Sequence, residues 1–181
     1  SHESQVKASI DETVKAFGRL DVLFSNAGGP TRGTVDTVTH DDFEHATNLL
    51  LGSVIFGIRH AAPIMKEQGG GAIINVTAAV GKTPPAASLP TSVSRAAGMA
   101  LTKAMSKDFG PDNIRVNTVC IGWIRSEQIE KMWKNQSPEL SWEEFSSKER
   151  QIPLGRIGNT DEAAKVILML QVHQLILTAV W

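Results

Sequence analysis

The chain has 181 residues, with 18 Lys and Arg against 19 Asp and Glu, which gives a formal net charge of -1. This balance argues against a protein that coats DNA or RNA, because binding to backbone phosphates needs a surplus of cations on one face. Apolar residues make up 41% of the chain, enough for a sizeable core, and the length predicts a single domain over 1–181.

The first predicted element is an amphipathic helix in residues 1–17, with apolar residues at helical spacing and Gly18 as its stop. This charged pattern fits neither a signal peptide nor a transit peptide, and we expect the chain to begin inside a longer protein. Leu20 to Phe24 form a dense apolar run, which predicts a strand buried on both faces. A loop rich in Gly, Pro and Thr follows at 26–39.

A long helix is predicted next, at 39–67. Asp41 and Asp42 lie in its first turn, where the helix dipole favours anions, and Pro63 bends or ends it. Three consecutive glycines then turn the chain into a second buried strand at 72–76.

Helices and strands continue to alternate in the middle of the chain. Pro90 begins a third helix that stops at Gly110, and residues 114–120 predict a third strand. The connections between strands are far too long for hairpins, so the strands pair in parallel with right-handed crossovers. We therefore predict an α/β fold with a doubly wound parallel sheet.

The pattern in the C-terminal third of the chain predicts short helices. Ser141 and Glu144 form a capping box at the start of one, and Asn159 and Glu162 mark the start of the last helix. Residues 166–181 are apolar but interrupted by polar side chains, and they fall short of the roughly 20 residues that a membrane span requires. They predict the end of a buried helix followed by a strand.

Sheets of this kind usually bind a nucleotide at the carboxyl ends of their strands. Neither G-x-G-x-x-G after a strand nor G-x-x-x-x-G-K-[ST] occurs in the chain. Gly28, Gly29 and Gly33 do follow a strand, and glycines let a backbone approach a ligand closely. By itself this is a weak signal. The glycines at 69–71 precede a strand and predict a turn.

Several segments, in this order and at these intervals, resemble the short-chain dehydrogenase/reductase family. They are 17–29, Asn48 with the residues after it, 73–81, 90–126 and 152–170, so the resemblance covers about residues 4–170. It implies a Rossmann-like domain that binds NAD or NADP. In relatives the first strands and the Gly-rich loop hold the diphosphate, and the resemblance places them before Ser1. We therefore expect weak or absent cofactor binding by this chain and binding by the intact parent.

The resemblance assigns cofactor roles to individual positions. Asn26, Ala27 and Gly28 match the family's N-A-G, beside the adenosine and ribose part of the cofactor. Asn48 matches the asparagine that holds a water in the family's proton relay. Gly122 and Ser126 match positions beside the nicotinamide, although Ile121 stands where the family has proline.

The family's catalytic side chains are replaced. Ala78 stands for its serine, and Thr91 and Arg95 stand for its tyrosine and lysine; the chain contains no Tyr. A phenol titrates near pH ~10, whereas the hydroxyl of Thr91 is a much weaker acid that needs a separate base. Arg95 retains a positive charge for ribose hydroxyls but does not give up its proton. We expect ordinary carbonyl reduction to be silent unless another proton donor replaces the phenol.

Other side chains offer alternatives near these positions. Thr77, Ser88, Ser92 and Ser94 carry hydroxyls, although such residues more often cap helices or face solvent. The lone cysteine, Cys120, excludes an intramolecular disulfide, is typical of the reducing cytoplasm, and is predicted to be a packed, inert thiol. The histidines have no metal-ligand spacing, so we predict no metal site.

Two functions remain open. The first is an NAD(P)-dependent oxidoreductase acting on a small-molecule carbonyl or alcohol, with no nucleic-acid or membrane partner. The alternative is a catalytically silent scaffold that associates with itself or with a related active subunit through the long helices at 40–67 and 90–109. The second helix carries the small residues Ala96, Ala97, Gly98, Ala100 and Ala104. The matching helices form subunit contacts in the resembling family, which implies a homo-oligomer, and packing against the chain's own sheet explains the small residues equally well.

Overall fold

In the computed structural model of the chain, residues 3–148 and 152–172 are described. They form two compact units. The first comprises the residues up to Cys120 together with the end of the last helix, from Leu170, and the second comprises Ile121–Met169. The first unit contains the sheet and its long helices. The single domain over 1–181 stays a prediction.

The first helix, α1, is Glu3–Phe17, as the amphipathic pattern predicts. Gly18 adopts a left-handed conformation with φ of 73°, and its N–H donates to the carbonyl oxygen of Val14 at 2.7 Å. A left-handed residue directly after the last turn ends a helix and satisfies one of its free carbonyls. The predicted stop is therefore confirmed.

Three strands form the sheet in the order β1 (Val22–Ser25), β2 (Gly71–Ala78) and β3 (Ile114–Ile121). β1 and β2 pair in parallel, with Leu23 opposite Ile73. Helices connect each strand to the next one along the chain. Parallel strands need such a crossover, whereas antiparallel strands can be joined by a short turn. The predicted Rossmann-like α/β fold with a parallel sheet is confirmed.

The first strand is not buried on both faces, contrary to the prediction from its apolar run. Val22 and Leu23 are half-buried, and Phe24 is 41% exposed. β1 lies at the edge of the sheet, so within the described part of the chain only β2 pairs with it. A run of Val, Leu and Phe cannot by itself distinguish an edge strand from a central one.

The predicted helix at 39–67 is interrupted. It consists of α2 (His40–Thr47), a π-helical turn (Asn48–Gly52) and α3 (Ser53–Glu67), and Pro63 lies inside α3. The side chain of Thr39 accepts a hydrogen bond from the N–H of Asp42, and the carboxylate of Asp42 accepts one from the N–H of Thr39. This capping box fixes the start of α2.

α3 packs on the sheet and builds the core. Ile58 and Met65 of α3 are buried with Ile10 of α1, Ile73 of β2 and Ile114 of β3. Burying each such side chain contributes about 1.5–3 kcal/mol. An 18-residue window within His40–Glu67 has a mean hydropathy of 1.3, so by length and composition this span is apolar enough to cross a membrane. Within the window 39% of the residues are buried, and Val54, Ile58 and Met65 belong to the core that packs on the sheet.

Helix α4 (Leu89–Phe109) follows β2 and contacts it. Pro90 occupies its first turn, where a missing N–H costs nothing. A short 3-10 turn, Gly110–Asp112, leads from α4 into β3. The predicted third helix and third strand are both confirmed.

The second unit contains α5 (Glu127–Gln136), α6 (Trp142–Lys148) and the start of α7 (Thr160–Val172). The N–H of Glu144 donates to Ser141 Oγ at 3.2 Å, and the N–H of Glu162 donates to Asn159 Oδ1 at 2.9 Å. Both predicted helix starts are confirmed. The strand predicted within 173–181 lies outside the described residues, as do His2 and His173.

Candidate functional site

The segment predicted to lie beside the cofactor follows β1 directly. Asn26, Ala27 and Gly28 are exposed at the carboxyl end of that strand. Gly29, which follows them, has no atom within 4 Å of the position that a Cβ would occupy. This edge of a parallel sheet is where ligands of α/β proteins bind.

Arg95 of α4 reaches the same edge. Its Nη1 donates to the carbonyl oxygen of Val76 in β2 at 2.7 Å. Its Nη2 lies 2.7 Å from the position that a Cβ on Gly28 would take, and Leu50 Cδ2 lies 2.9 Å from it. Any larger residue at 28 would meet the guanidinium, so Gly28 and Arg95 are matched by shape.

The charge of Arg95 has no acidic partner among the described residues. Its Nε is buried and makes no hydrogen bond in the described part of the chain. Burial lowers the pKa of the Arg95 guanidinium below its usual value, because desolvation penalises the charged form. An arginine stays protonated near neutral pH, so a positive charge lies beside Gly28, where Nη2 approaches it most closely.

Thr91 lies one helical turn before Arg95, but its hydroxyl is already engaged. Thr91 Oγ1 donates to the carbonyl oxygen of Thr31 at 2.8 Å and accepts from the N–H of Thr31 at 2.9 Å. The hydroxyl proton therefore belongs to a hydrogen bond with the loop after β1. This geometry suits an anchor for the loop better than a proton donor to a ligand.

The alternative hydroxyls are occupied as well. Ser88 Oγ donates to the carbonyl oxygen of Pro85 at 2.6 Å and lies 2.7 Å from Ser92 Oγ. Ser94 is buried and donates to the carbonyl oxygen of Pro90 at 2.9 Å, a common bond of serine inside a helix. The protons of these three hydroxyls are therefore used in hydrogen bonds within the chain, and we assign none of the three as a proton donor to a ligand.

Thr77 lies just before the position of the family's serine. It is buried, and its Oγ1 lies 3.0 Å from Thr118 Oγ1 and 3.1 Å from Cys120 Sγ. Ala78 is half-buried at the end of β2 and supplies no hydroxyl. The site thus lacks a hydroxyl where the family has its serine.

The thiol of Cys120 is exposed, and the prediction of a packed thiol is wrong. Cys120 stands near the end of β3, where the strand leaves the covered part of the sheet. Its Sγ contacts Met99 Sδ at 3.4 Å and Thr77 Oγ1. The apolar residues around Cys120 in the sequence predicted that it is buried, but the residues of β3 become more exposed towards the end of the strand.

Asn48 begins the π-helical turn and is exposed. The N–H of Ser53 donates to its carbonyl oxygen, five residues back, in place of the usual partner four residues back. Its Oδ1 lies 3.6 Å from the position that a Cβ on Gly52 would take. Single π-turns inside α-helices are frequent at functional sites, which marks this position independently of any resemblance.

Gly122 and Ser126 lie in the second unit. Gly122 is exposed, with no atom within 4 Å of a Cβ position. Ser126 is the N-cap of α5, and its Oγ accepts a hydrogen bond from the N–H of Ile129 at 3.4 Å. Helix capping accounts for the Ser126 side chain, and its role beside a nicotinamide stays a prediction.

A cleft of about 440 Å³ opens in the first unit between the loop after β1 and the start of α4, and Ser92, next to Thr91 in the chain, lines it. Gly33 and Thr34 of the loop after β1 line the cleft. Pro84, Leu89 and Val93 line it as well, with further apolar residues, and the lining contains no charged side chain. The cleft is shallow and open to solvent.

Sequence reasoning did not identify Thr31 and Val76, the two partners that fix Thr91 and Arg95. Each lies far along the chain from its partner, and both interact through backbone atoms that carry no sequence signature. No group of His, Cys, Asp and Glu suited to a metal ion occurs in residues 3–148 and 152–172. His40 and His45 are exposed, while His60 is half-buried against Glu3.

The chain is similar in sequence to known oxidoreductases. A family model described as enoyl-(acyl carrier protein) reductase matches residues 1–175. The 3-oxoacyl-[acyl-carrier-protein] reductase FabG of Thermotoga maritima is 33% identical over 166 residues, covering 92% of this chain and 64% of that protein. The chain spans 62–64% of the length of the first curated relatives.

Two solved structures are similar throughout. ElxO with NADP bound has a TM-score of 0.85 and 30% identity, covering 97% of this chain and 69% of ElxO. An NADPH-bound short chain oxidoreductase from Pseudomonas aeruginosa PAO1, described as containing an atypical catalytic center, has a TM-score of 0.83 and 28% identity. The match covers 93% of this chain and 65% of that protein.

Proposed function

Since the chain belongs to the short-chain dehydrogenase/reductase family, we propose that the whole protein is a cytoplasmic NAD(P)-dependent oxidoreductase of small carbonyl or alcohol compounds with an atypical centre. In this centre Arg95 replaces the family's lysine, and Thr91 does not act as proton donor. One observation carries the proposal. Arg95, whose Nη2 lies beside Gly28, has neither an acidic partner nor an acceptor for its Nε among the described residues, while the Thr91 proton is bound to Thr31.

The residues present fit the ribose side of a nicotinamide cofactor. The orphaned Nε of Arg95 needs an acceptor, and ribose hydroxyls and phosphate oxygens are acceptors for a guanidinium. Asn26, Ala27 and Gly28 would hold the adenosine and ribose part, with Asn48 as the further polar group of the relay. Gly122 and Ser126 would hold the nicotinamide side, on the strength of the family resemblance.

When bound, the cofactor supplies or accepts the hydride in carbonyl/alcohol interconversion. Arg95 would hold the ribose, and its hydrogen bond to the carbonyl oxygen of Val76 fixes the guanidinium at the end of β2. The carbonyl oxygen of the substrate must still gain a proton. Because Ala78 has no hydroxyl and the Thr91 proton is engaged, we expect the proton to come from solvent, at a rate about 10²–10⁴-fold below that given by a positioned acid.

A thermal-shift titration of the whole protein with NADH and NADPH tests binding. We expect a rise in Tm with at least one of them, a loss of this rise in Arg95→Met, and partial retention in Arg95→Lys. Lys107→Met is the matched control, because Lys107 is an exposed cation on the same helix. No rise in Tm of the unaltered protein at millimolar cofactor would remove the proposal.

Restoring the family's side chains tests the missing relay. The triple variant Ala78→Ser, Thr91→Tyr, Arg95→Lys in the whole protein should reduce carbonyl probes about 10²-fold faster or more, because it regains a phenol and a serine hydroxyl. Equal rates for the triple variant and the unaltered protein, with Tm and NADPH binding unchanged, would show that proton supply is not what limits this centre.

The alternative is a silent scaffold that associates through α4. Val93, Ala96, Ala100 and Ala104 are exposed on this helix at helical spacing, so a partner helix can approach it closely. Light scattering after size exclusion should then show a dimer or larger species, and Ala100→Arg should shift it to the monomer. A strictly monomeric protein would oppose the scaffold. Ala16→Arg, at an exposed position on α1, is the control.

A further inference from the structure

The loop after β1 is joined to the start of α4 by four hydrogen bonds. Thr31 exchanges two with the hydroxyl of Thr91. The N–H of Gly33 donates to the carbonyl oxygen of Ala87 at 3.0 Å, and the N–H of Leu89 donates to the carbonyl oxygen of Gly33 at 3.1 Å. We call these four bonds the loop latch.

We propose that Thr91 is a positioning residue whose hydroxyl closes the loop latch and so holds one wall of the neighbouring cleft. Thr91 is well suited to this, because its one hydroxyl acts as donor and acceptor to the same residue, Thr31. Valine has the same shape as threonine but can neither donate nor accept a hydrogen bond. Serine keeps a hydroxyl that can do both. The hydroxyl of a tyrosine lies much farther from its backbone and does not reproduce the pair.

The backbone opposite the loop supports the same conclusion. Ala87 has a φ of 54°, a left-handed conformation that costs a non-glycine residue free energy and persists only when its surroundings hold it. The carbonyl oxygen of Ala87 accepts the bond from Gly33, and Gly33 and Ser88 form an isolated parallel bridge. A strained residue is therefore part of the latch.

The latch shapes the cleft because both of its sides line it. Gly33 lies on the loop side, whereas Ala87 and Leu89 lie on the other side. Holding Thr31 and Gly33 in place therefore sets the width of the cleft. This role is independent of the proposed oxidoreductase activity, since neither a cofactor nor turnover enters it.

Trypsin cleavage after Arg32 measures opening of the latch directly, because Arg32 is exposed and lies between the two latch residues of the loop. In Thr91→Val we expect cleavage after Arg32 to be about 5- to 150-fold faster, the factor that corresponds to loss of two hydrogen bonds. In Thr91→Ser the rate should return to that of the unaltered chain. A rate in Thr91→Val within twofold of the unaltered chain would overturn the proposal.

Two controls separate the latch from general unfolding. Cleavage after Lys107, on the same helix, should not change in Thr91→Val if α4 stays folded. Thr13→Val removes a threonine hydroxyl that donates to the carbonyl oxygen of Ser9 at 2.8 Å in α1, and should leave cleavage after Arg32 unchanged. Equal acceleration by Thr13→Val and Thr91→Val would contradict a specific role of Thr91.

If Thr91→Val does not fold, hydrogen exchange in the unaltered chain tests whether the loop latch is closed in solution. The amide of Thr31 should exchange at least about tenfold more slowly than that of Arg32, which has no hydrogen-bond partner in the described part of the chain. Equal exchange at the two amides would show that the latch is open in solution. Absence of cofactor binding would remove the proposed oxidoreductase and leave this result unaffected.

Discussion

Asn75 provides a sharp test of how the core of this fold is balanced. It lies within β2 and is 0% exposed. Its Nδ2 donates to Thr102 Oγ1 of α4 at 3.0 Å. Its Oδ1 is buried and has no hydrogen-bond partner among the described residues. Burying an acceptor without a partner costs free energy, because its hydrogen bonds to water are lost and no bond within the protein replaces them.

Replacing Asn75 by Val removes that acceptor. The orphaned oxygen costs about 1–3 kcal/mol, and the bond that is lost contributes about 0.5–1.5 kcal/mol. Thr102 gains no unsatisfied proton, because its hydroxyl donates to the carbonyl oxygen of Gly98 at 2.9 Å. Valine also suits a strand. We therefore expect the free energy of unfolding to rise by about 1 kcal/mol, and Tm by about 2–4 °C.

Urea unfolding followed by far-UV circular dichroism measures this change, provided that the m-values of the two proteins agree. Asn75→Asp is the matched control. It keeps the shape, loses the Nδ2 donor and buries a carboxylate without a partner, so we expect it to lower the free energy of unfolding by about 3 kcal/mol or more.

The reasoning has a clear refutation. If Asn75→Val lowers the free energy of unfolding by more than about 1 kcal/mol at an unchanged m-value, the Oδ1 of Asn75 is not an orphan but is bound to a partner such as a buried water. The amide would then stabilise the fold as one half of a satisfied pair.

Three further predictions concern other parts of the chain. Ala87→Gly relieves a left-handed backbone and should raise the free energy of unfolding by about 0.5–1 kcal/mol in urea; a decrease would show that φ of 54° carries no strain there. Hydrogen bonds from Arg156 lower the pKa of Glu162 from 4.5 to about 2, so its carboxylate stabilises the fold above pH 4.5 and this contribution fades as the pH falls towards 2. The stability difference between the unaltered chain and Glu162→Gln should thus be smaller at pH 3 than at pH 7, and an equal difference at both would contradict the pairing. Cys120 is exposed, so a thiol reagent should modify it in the native state, whereas reaction only in denaturant would restore the prediction of a packed thiol.

Much of the fold was predictable because its signals are local. Gly18 ends α1, and the pairs Ser141 with Glu144 and Asn159 with Glu162 begin helices. In each case the interacting groups lie three or four residues apart, so the residue types alone specify the bond. The alternation of apolar strands with long crossovers likewise determined a parallel sheet, since no hairpin fits it.

Only the tertiary structure decided which partners the candidate site residues have. Thr91 and Thr31 are sixty positions apart, and Arg95 meets Gly28 and Val76 across the ends of two strands. The groups that Thr91 and Arg95 bind are backbone atoms, which every residue carries, so no pattern of residue types announces them. Exposure of Cys120 and the edge position of β1 have the same origin, because burial depends on what the rest of the chain places beside a segment.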